Sequence, residues 1–240
     1  GVCARGHYCP TASTNSTQVK CPGGRFGAVE ELTSEHCSTL CEMASVDAVG
    51  VQMSAAATPE CESASICAAG YFCPPGSVSE KEHRCGGPAV YCPPGSSSPT
   101  PVEPGYYSVG PLSLPSMPLP LLQDPGDADT RTSQVQCEPG FYCFQGVKYA
   151  CQPGRYNDQI GKEVFPDYLA CPQFDAGHYC DEASPSRTQH VCGGPHVYCP
   201  TGTHTPNDVP PGFYSVGAEL TTRYDIVACE SGFSCVKGIK

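Results

Sequence analysis

Cys85-Gly-Gly-Pro-Ala-Val-Tyr-Cys92, followed by Pro-Pro-Gly and then Pro104-Gly-Tyr-Tyr-Ser-Val-Gly110, returns as Cys192-Gly-Gly-Pro-His-Val-Tyr-Cys199 followed by Pro211-Gly-Phe-Tyr-Ser-Val-Gly217. The offset is 107 residues, and self-similarity on that scale marks a repeat architecture. Around this pair lie shorter echoes. Cys, two residues, Gly, two mostly aromatic residues, Cys occurs at Cys3–Cys9, Cys67–Cys73, Cys137–Cys143 and Cys229–Cys235, and Cys171 to Cys180 ends the same way in Ala-Gly-His-Tyr-Cys. Cys-x-x-Gly-Arg-aromatic occurs at Cys21 to Phe26 and at Cys151 to Tyr156. In order, these motifs give a first unit over 1–130, a second over 131–222 and the opening of a third over 223–240, which reads as stopping mid-motif.

Composition restricts what such units can be. The 240 residues include 19 Cys, 26 Gly and 26 Pro, and no Trp. Leu, Ile, Val and Phe together make 40 of the 240, below the roughly 20% with which a chain builds one large apolar core. A small core that leaves conformational entropy uncompensated is rescued by cross-links, and disulfides persist in oxidising compartments. The expected location is therefore extracellular, at the cell surface or secreted. Net charge is −11 with no basic cluster, which disfavours nucleic acid and anionic membranes. No apolar run reaches the length of a membrane span.

At Cys21-Pro-Gly-Gly-Arg-Phe-Gly, Leu32-Thr-Ser and Cys37-Ser-Thr-Leu-Cys41 the chain resembles the GCC2/GCC3 cysteine-rich repeat, related to the ephrin-receptor-like module. The stretches from Cys85 to Gly110 and from Thr130 to Tyr156 are similar to repeats strung together in very large extracellular proteins of protists such as algae and water moulds. The resemblance implies extracellular, disulfide-bonded, tandem modules and no characteristic catalytic residue.

The expected fold is small disulfide-rich modules in tandem, with short β-ribbons and loops, little helix and no large core. Pro-Gly-aromatic pieces suit two-stranded ribbons, glycine supplying the positive φ of a turn and Tyr or Phe starting the strand. Two segments depart from the pattern. The insertion 42–60 has helical spacing through Met43, Val46, Val49 and Met53, weakened by Gly50, and predicts a short surface helix. The connector 111–129 is proline-rich and predicts extended polyproline II.

Disulfides are the default for the cysteines, because no C-x-x-C pair exists and the close pair Cys37/Cys41 beside His36 has no matching second pair for zinc. Cys9 to Cys21, Cys73 to Cys85 and Cys180 to Cys192 are each twelve apart, which predicts three equivalent bonds of roughly 3 kcal/mol each. Alternation within a cluster, Cys67–Cys85 with Cys73–Cys92, is the competing pattern. Cys143 and Cys151 join the expected disulfide set, and Cys61 is assigned to Cys41 or Cys67. The twenty-residue spacing equates Cys41 with Cys171, leaving Cys37 without a counterpart at Asp167. The second unit, with seven cysteines from Cys137 to Cys199, is odd, which implies a free thiol or a link to another unit or chain.

Catalysis finds no support in motif. The seven histidines lie beside Cys, Gly or Pro without H-E-x-x-H spacing, and G-x-S-x-G is missing. No cofactor is implied. Asp124, Asp127 and Asp129 suggest either a weak calcium site or, as the plainer reading, a solvated acidic linker. Asn15-Ser-Thr17 is an N-glycosylation sequon between Cys9 and Cys21, and the runs TASTNST, GSSSPTP and TGTHTP have an O-glycan composition. Tyr106, Tyr107, Phe213 and Tyr214 are candidate interface residues, against the plainer reading that tyrosines cover the disulfides. The functional expectation is a non-enzymatic component of an extracellular fibre, flagellar hair or surface layer, its partners copies of itself or sister repeats, and glycans. The alternative is a spacer or ligand-binding region in the ectodomain of a receptor or adhesin.

Overall fold

A computed structural model of the chain describes residues 1–38, 65–110, 129–163 and 171–240. The predicted helix in 42–60 and the polyproline connector up to residue 128 lie outside these residues, as do Cys41, Cys61, Asp124 and Asp127. Among the described residues the secondary structure is β alone, in eight two-stranded antiparallel sheets. Small disulfide-rich modules in tandem, with short ribbons and no large core, is therefore the fold.

The hairpins follow in chain order. β1 (His7–Tyr8) pairs with β2 (Val19–Lys20), β3 (Tyr71–Phe72) with β4 (His83–Arg84), and β5 (Val90–Tyr91) with β6 (Thr100–Pro101). β7 (Tyr106–Val109) pairs with β8 (Ser133–Gln136), β9 (Phe141–Phe144) with β10 (Val147–Ala150), and β11 (His178–Tyr179) with β12 (His190–Val191). β13 (Val197–Tyr198) pairs with β14 (Asn207–Asp208), and β15 (Phe213–Gly217) with β16 (Arg223–Ala228).

Six of these hairpins obey one local rule. Each starts after a glycine and ends at a cysteine whose N–H donates to that glycine's carbonyl: Cys21 to Gly6 at 2.9 Å, Cys85 to Gly70 at 3.0 Å, Cys137 to Gly105 at 2.9 Å, Cys151 to Gly140 at 2.9 Å, Cys192 to Gly177 at 2.9 Å and Cys229 to Gly212 at 2.8 Å. The aromatic residues next to the glycine begin the strand, where flat rings pack well on a pleated, half-buried surface. β9 and β10 turn through Gln145 at φ 48° and Gly146 at φ 75°, the positive-φ pair of a two-residue hairpin. Lys237 at φ 50° and Gly238 at φ 75° repeat that turn between Val236 and Ile239.

The loops repeat as well. After Cys9, Cys73 and Cys180, the sixth residue is Asn15, Ser79 or Ser186, and its side-chain oxygen accepts the N–H two residues on, at 3.2, 3.4 and 3.4 Å. A hairpin and loop of constant length thus fill the twelve-residue interval.

The chain divides into two compact units, one of 1–102 with 108–134 and another of 103–107 with 135–240. Among the described residues, neither shows a conventional core. Buried apolar residues are almost all cysteines, joined by Leu32, Phe174 and Val197. Tyrosines lie on these small clusters: Tyr8 on Cys21, Leu32 and Cys37, Tyr142 on Cys151 and Cys171, and Tyr179 on Cys192, Val197 and Cys199. The plainer reading of the tyrosines, as covers for disulfides, describes this packing.

Candidate functional site

The chemistry-bearing residues of this chain are its cysteines and the aromatic and charged groups around them. Among the described residues, eight disulfides join Cys3–Cys9, Cys21–Cys37, Cys67–Cys73, Cys85–Cys92, Cys137–Cys143, Cys151–Cys171, Cys192–Cys199 and Cys229–Cys235. This corrects both expected patterns, since neither the twelve-residue bonds nor the Cys67–Cys85/Cys73–Cys92 alternation forms. The register explains why. His7 faces Lys20, so Cys21 lies opposite Gly6 and Cys9 is three residues further along the ladder. At about 3.4 Å per residue that places Cys9 and Cys21 roughly 10 Å apart, beyond the Cα separation a disulfide tolerates. Cys3 and Cys9 instead flank the turn at Gly6 and come to a Cα separation of 5.9 Å. The same register separates Cys73 from Cys85 and Cys180 from Cys192.

Cys21 bonds Cys37 across 16 residues, and Cys151 bonds Cys171 across 20. Cys171 is thus the counterpart of Cys37, which corrects its equation with Cys41. The arginines of the two Cys-x-x-Gly-Arg motifs confirm the match. Arg25 Nη1 donates to the His36 carbonyl at 3.3 Å, beside Cys37, and Arg155 Nη1 donates to the Cys171 carbonyl at 2.7 Å. Cys67 is bonded to Cys73, which removes it as a partner for Cys61.

Cys180 is the unpaired cysteine among the described residues, and it is buried. The odd count of the second unit is therefore resolved here as a free thiol. Its counterpart Cys73 has Cys67 as partner, and the residue in the place of Cys67 is Phe174. Backbone bonds establish the equivalence: Cys67 N–H donates to Gly24 O at 2.9 Å as Phe174 N–H donates to Gly154 O at 3.0 Å. Gly95 N–H donates to Cys67 O at 2.9 Å as Gly202 N–H donates to Phe174 O at 3.1 Å. Phe174 is fully buried and meets Tyr156 edge to face, with ring centroids 5.9 Å apart. A benzyl group stands where the first unit has half a disulfide. The thiol left behind lies 3.4 Å from the Arg155 carbonyl, and burial pushes its pKa up. The alignment Cys-Ala-Ala-Gly-Tyr-Phe-Cys against Phe-Asp-Ala-Gly-His-Tyr-Cys carried that signal in the sequence.

The four aromatic interface candidates are all half-buried. Tyr106 and Phe213 open their strands, while Tyr107 and Tyr214 take part in two matching clusters. In the first, Tyr107 OH donates to Glu138 Oε1 at 3.1 Å, and Lys148 Nζ reaches Glu138 Oε2 at 3.1 Å. The same ammonium lies 4.6 Å from the ring centroids of both Tyr107 and Phe141. In the second, Tyr214 OH donates to Glu230 Oε1 at 3.2 Å, and Lys240 Nζ reaches Glu230 Oε2 at 2.8 Å. Lys240 lies 5.5 Å from the Tyr214 ring centre and 4.2 Å from that of Phe233. Each cluster clamps a Pro-Gly-aromatic strand to the Cys-x-x-Gly-x-x-Cys turn that follows it. Burial raises the Tyr107 phenol, and the Lys240 ammonium holds the Glu230 carboxyl below its usual range. Sequence reasoning missed Glu138, Lys148, Glu230 and Lys240; their place after the same motif, at Cys137-Glu and Cys229-Glu, was the available signal.

Next in sequence to the clamp tyrosines, buried serines fasten each strand to the preceding Gly-Gly-Pro turn. Ser108 Oγ donates to Pro88 O at 2.7 Å and Ser215 Oγ to Pro195 O at 2.6 Å. Arg131 Nη1 donates to Ser108 O at 3.3 Å and Arg223 Nη1 to Ser215 O at 3.2 Å.

Asn15 is exposed in the loop between Cys9 and Cys21, and its Oδ1 accepts both the N–H and the hydroxyl of Thr17 at 3.2 Å. His83 and His190 stack on Phe72 and Tyr179 with centroids 5.1 and 5.0 Å apart. No group of three or more metal-ligating side chains occurs among the described residues, and no described helix is long and apolar enough to cross a membrane. No protein-family model matches this chain, and no curated protein matches it.

Proposed function

We propose that this chain is a non-enzymatic structural segment of an extracellular assembly, a fibre, flagellar hair or surface layer, whose modules resemble GCC2/GCC3 repeats. The observation carrying this reading is the recurrence of one set of contacts in atomic detail. The Ser–Pro bond, the Arg–Ser bond and the Tyr–Glu–Lys clamp return with the same partners one repeat later. Contacts kept at that level of detail mark one module plan reused along the chain, which is what a tandem-repeat array requires. Disulfides supply stability where apolar burial does not, and they suit an oxidising compartment. An N-glycan on Asn15 would project from an exposed loop. Copies or sister repeats associate through the half-buried Pro-Gly-aromatic strands at Tyr106, Tyr107, Phe213 and Tyr214.

Sedimentation of the purified, oxidised chain over a range of concentrations, with electron microscopy of the concentrated sample, tests the reading. Linear self-association is expected. A chain that stays monomeric at every concentration would instead support a spacer in a receptor or adhesin ectodomain.

A further inference from the structure

β9 and β10 place two tyrosines directly opposite each other, on the face away from Lys148. Tyr142 pairs with Tyr149 in the register, and their rings stack with centroids 5.2 Å apart and planes 17° from parallel. Tyr142 is half-buried over Cys151 and Cys171, which holds its ring in place, while Tyr149 is 38% exposed. Two other hairpins build the same cross-strand stack, as Phe72 with His83 and Tyr179 with His190. Among the described residues, only the β9–β10 stack consists of two phenols.

We propose that Tyr142 and Tyr149 form an oxidative modification site, at which the two phenols are coupled into a dityrosine by a one-electron oxidant of the heme-peroxidase class using hydrogen peroxide. Each phenol loses one electron and one proton, giving two tyrosyl radicals, while one hydrogen peroxide takes up both electrons and both protons and leaves as two waters. The radicals carry spin on the ring carbons ortho to oxygen. A carbon–carbon bond forms between two such carbons, and the ring hydrogens there shift to the phenolic oxygens as aromaticity returns. The net change is the loss of two hydrogen atoms from the chain. Stacking makes the coupling intramolecular, so no diffusional encounter is needed. The product staples β9 to β10 covalently in the unit where Cys180 lacks a partner. The chemistry requires the hairpin alone and does not rest on the fibre reading.

The test treats the intact, oxidised chain with a heme peroxidase and one equivalent of hydrogen peroxide. Dityrosine fluorescence is expected in the monomer band, with a mass lower by two hydrogens. Trypsin cuts after Lys148, between the two tyrosines, so the link appears as two peptides joined through Tyr142 and Tyr149. Tyr149→Phe keeps a ring in the stack and should lose this species, whereas Tyr224→Phe, an exposed tyrosine elsewhere, should retain it. The proposal is overturned by the absence of dityrosine in the native monomer, by its survival in Tyr149→Phe, or by an equal yield of the Tyr142–Tyr149 link in the reduced, unfolded chain.

Discussion

At position 174 a phenylalanine stands where the first unit has Cys67, so the counterpart of Cys73, Cys180, has no cysteine in reach of the equivalent bond. The thiol of Cys180 is enclosed and its pKa is raised, so at neutral pH it carries no thiolate to react. Alkylation of the native chain should leave Cys180 unmodified, and unfolding without reduction should release one reactive thiol from it; labelling of Cys180 at the native rate of a free cysteine would contradict the burial. Phe174→Cys should restore the missing bond. By loop closure a six-residue separation contributes roughly 2.4 kcal/mol, while removing a buried phenylalanine costs about 3 kcal/mol. The oxidised variant should therefore match the parent within about 1 kcal/mol in denaturant unfolding, with a disulfide between the introduced cysteine and Cys180 found by non-reduced peptide mapping. Glu230 gives the pH-sensitive counterpart. Its carboxyl is held below the usual range, chiefly by the hydrogen bond from Lys240. A depressed folded pKa contributes stability above the unfolded value and loses it as pH falls through the folded value. NMR titration should show Glu230 protonating below an ordinary glutamate, and Lys240→Met should return it to the ordinary range.

At the scale of the hairpin, glycine is required for two separable reasons. Gly140 has φ 87°, and a Cβ there would run into the Ala183 carbonyl; Gly212 has φ 84° and nothing within 4 Å. Alanine at either position meets the left-handed backbone cost of roughly 1 to 2 kcal/mol, but only Gly140→Ala adds the clash, worth about 1 to 3 kcal/mol more. Unfolding in denaturant should rank Gly140→Ala as the less stable by that difference; equal losses would mean the Ala183 carbonyl yields freely. The hairpins also show what could be read beforehand. Pro-Gly-aromatic pieces correctly announced strands at Tyr106, Phe141 and Phe213, because turn and strand preferences are local. The pairing at Cys9, Cys73 and Cys180 was not legible from spacing, since twelve residues can be a loop closed by a bond or a ribbon closed by hydrogen bonds. Only the register, with Cys21 opposite Gly6, separates the two. The clamps escaped notice for a related reason. Lys148 reaches Tyr107 over a sequence distance that includes the 111–129 connector, and the recurring Cys-Glu step is the one local trace of such a contact.

For the molecule as a whole the balance of forces follows from which side chains are buried. Fully buried apolar side chains other than cysteine amount to Leu32 and Phe174 among the described residues. Full burial of two such groups supplies about 3 to 6 kcal/mol. Eight cross-links, six of them closing short loops of six or seven residues, each contribute roughly 2 to 3 kcal/mol by loop closure, even before any partner for Cys41 or Cys61 is considered. Their sum exceeds the about 5 to 15 kcal/mol by which a typical domain is stable, so without them the ordering entropy wins. The backbone bonds cannot substitute, because most strands are two residues long and a lone two-stranded ribbon is marginal in water. Reduction should therefore abolish the native circular dichroism and protease resistance together, at any pH where the thiols stay reduced. Single aliphatic changes should act on a different scale. Val216→Ala, at a half-buried position in β15, should cost about 1 to 2 kcal/mol and leave the disulfide pairing unchanged. Comparing limited proteolysis of the reduced parent with that of oxidised Val216→Ala decides between the two accounts. If the reduced chain resists the protease as well as the oxidised variant does, stability resides in apolar and backbone contacts, and the cross-links merely decorate it.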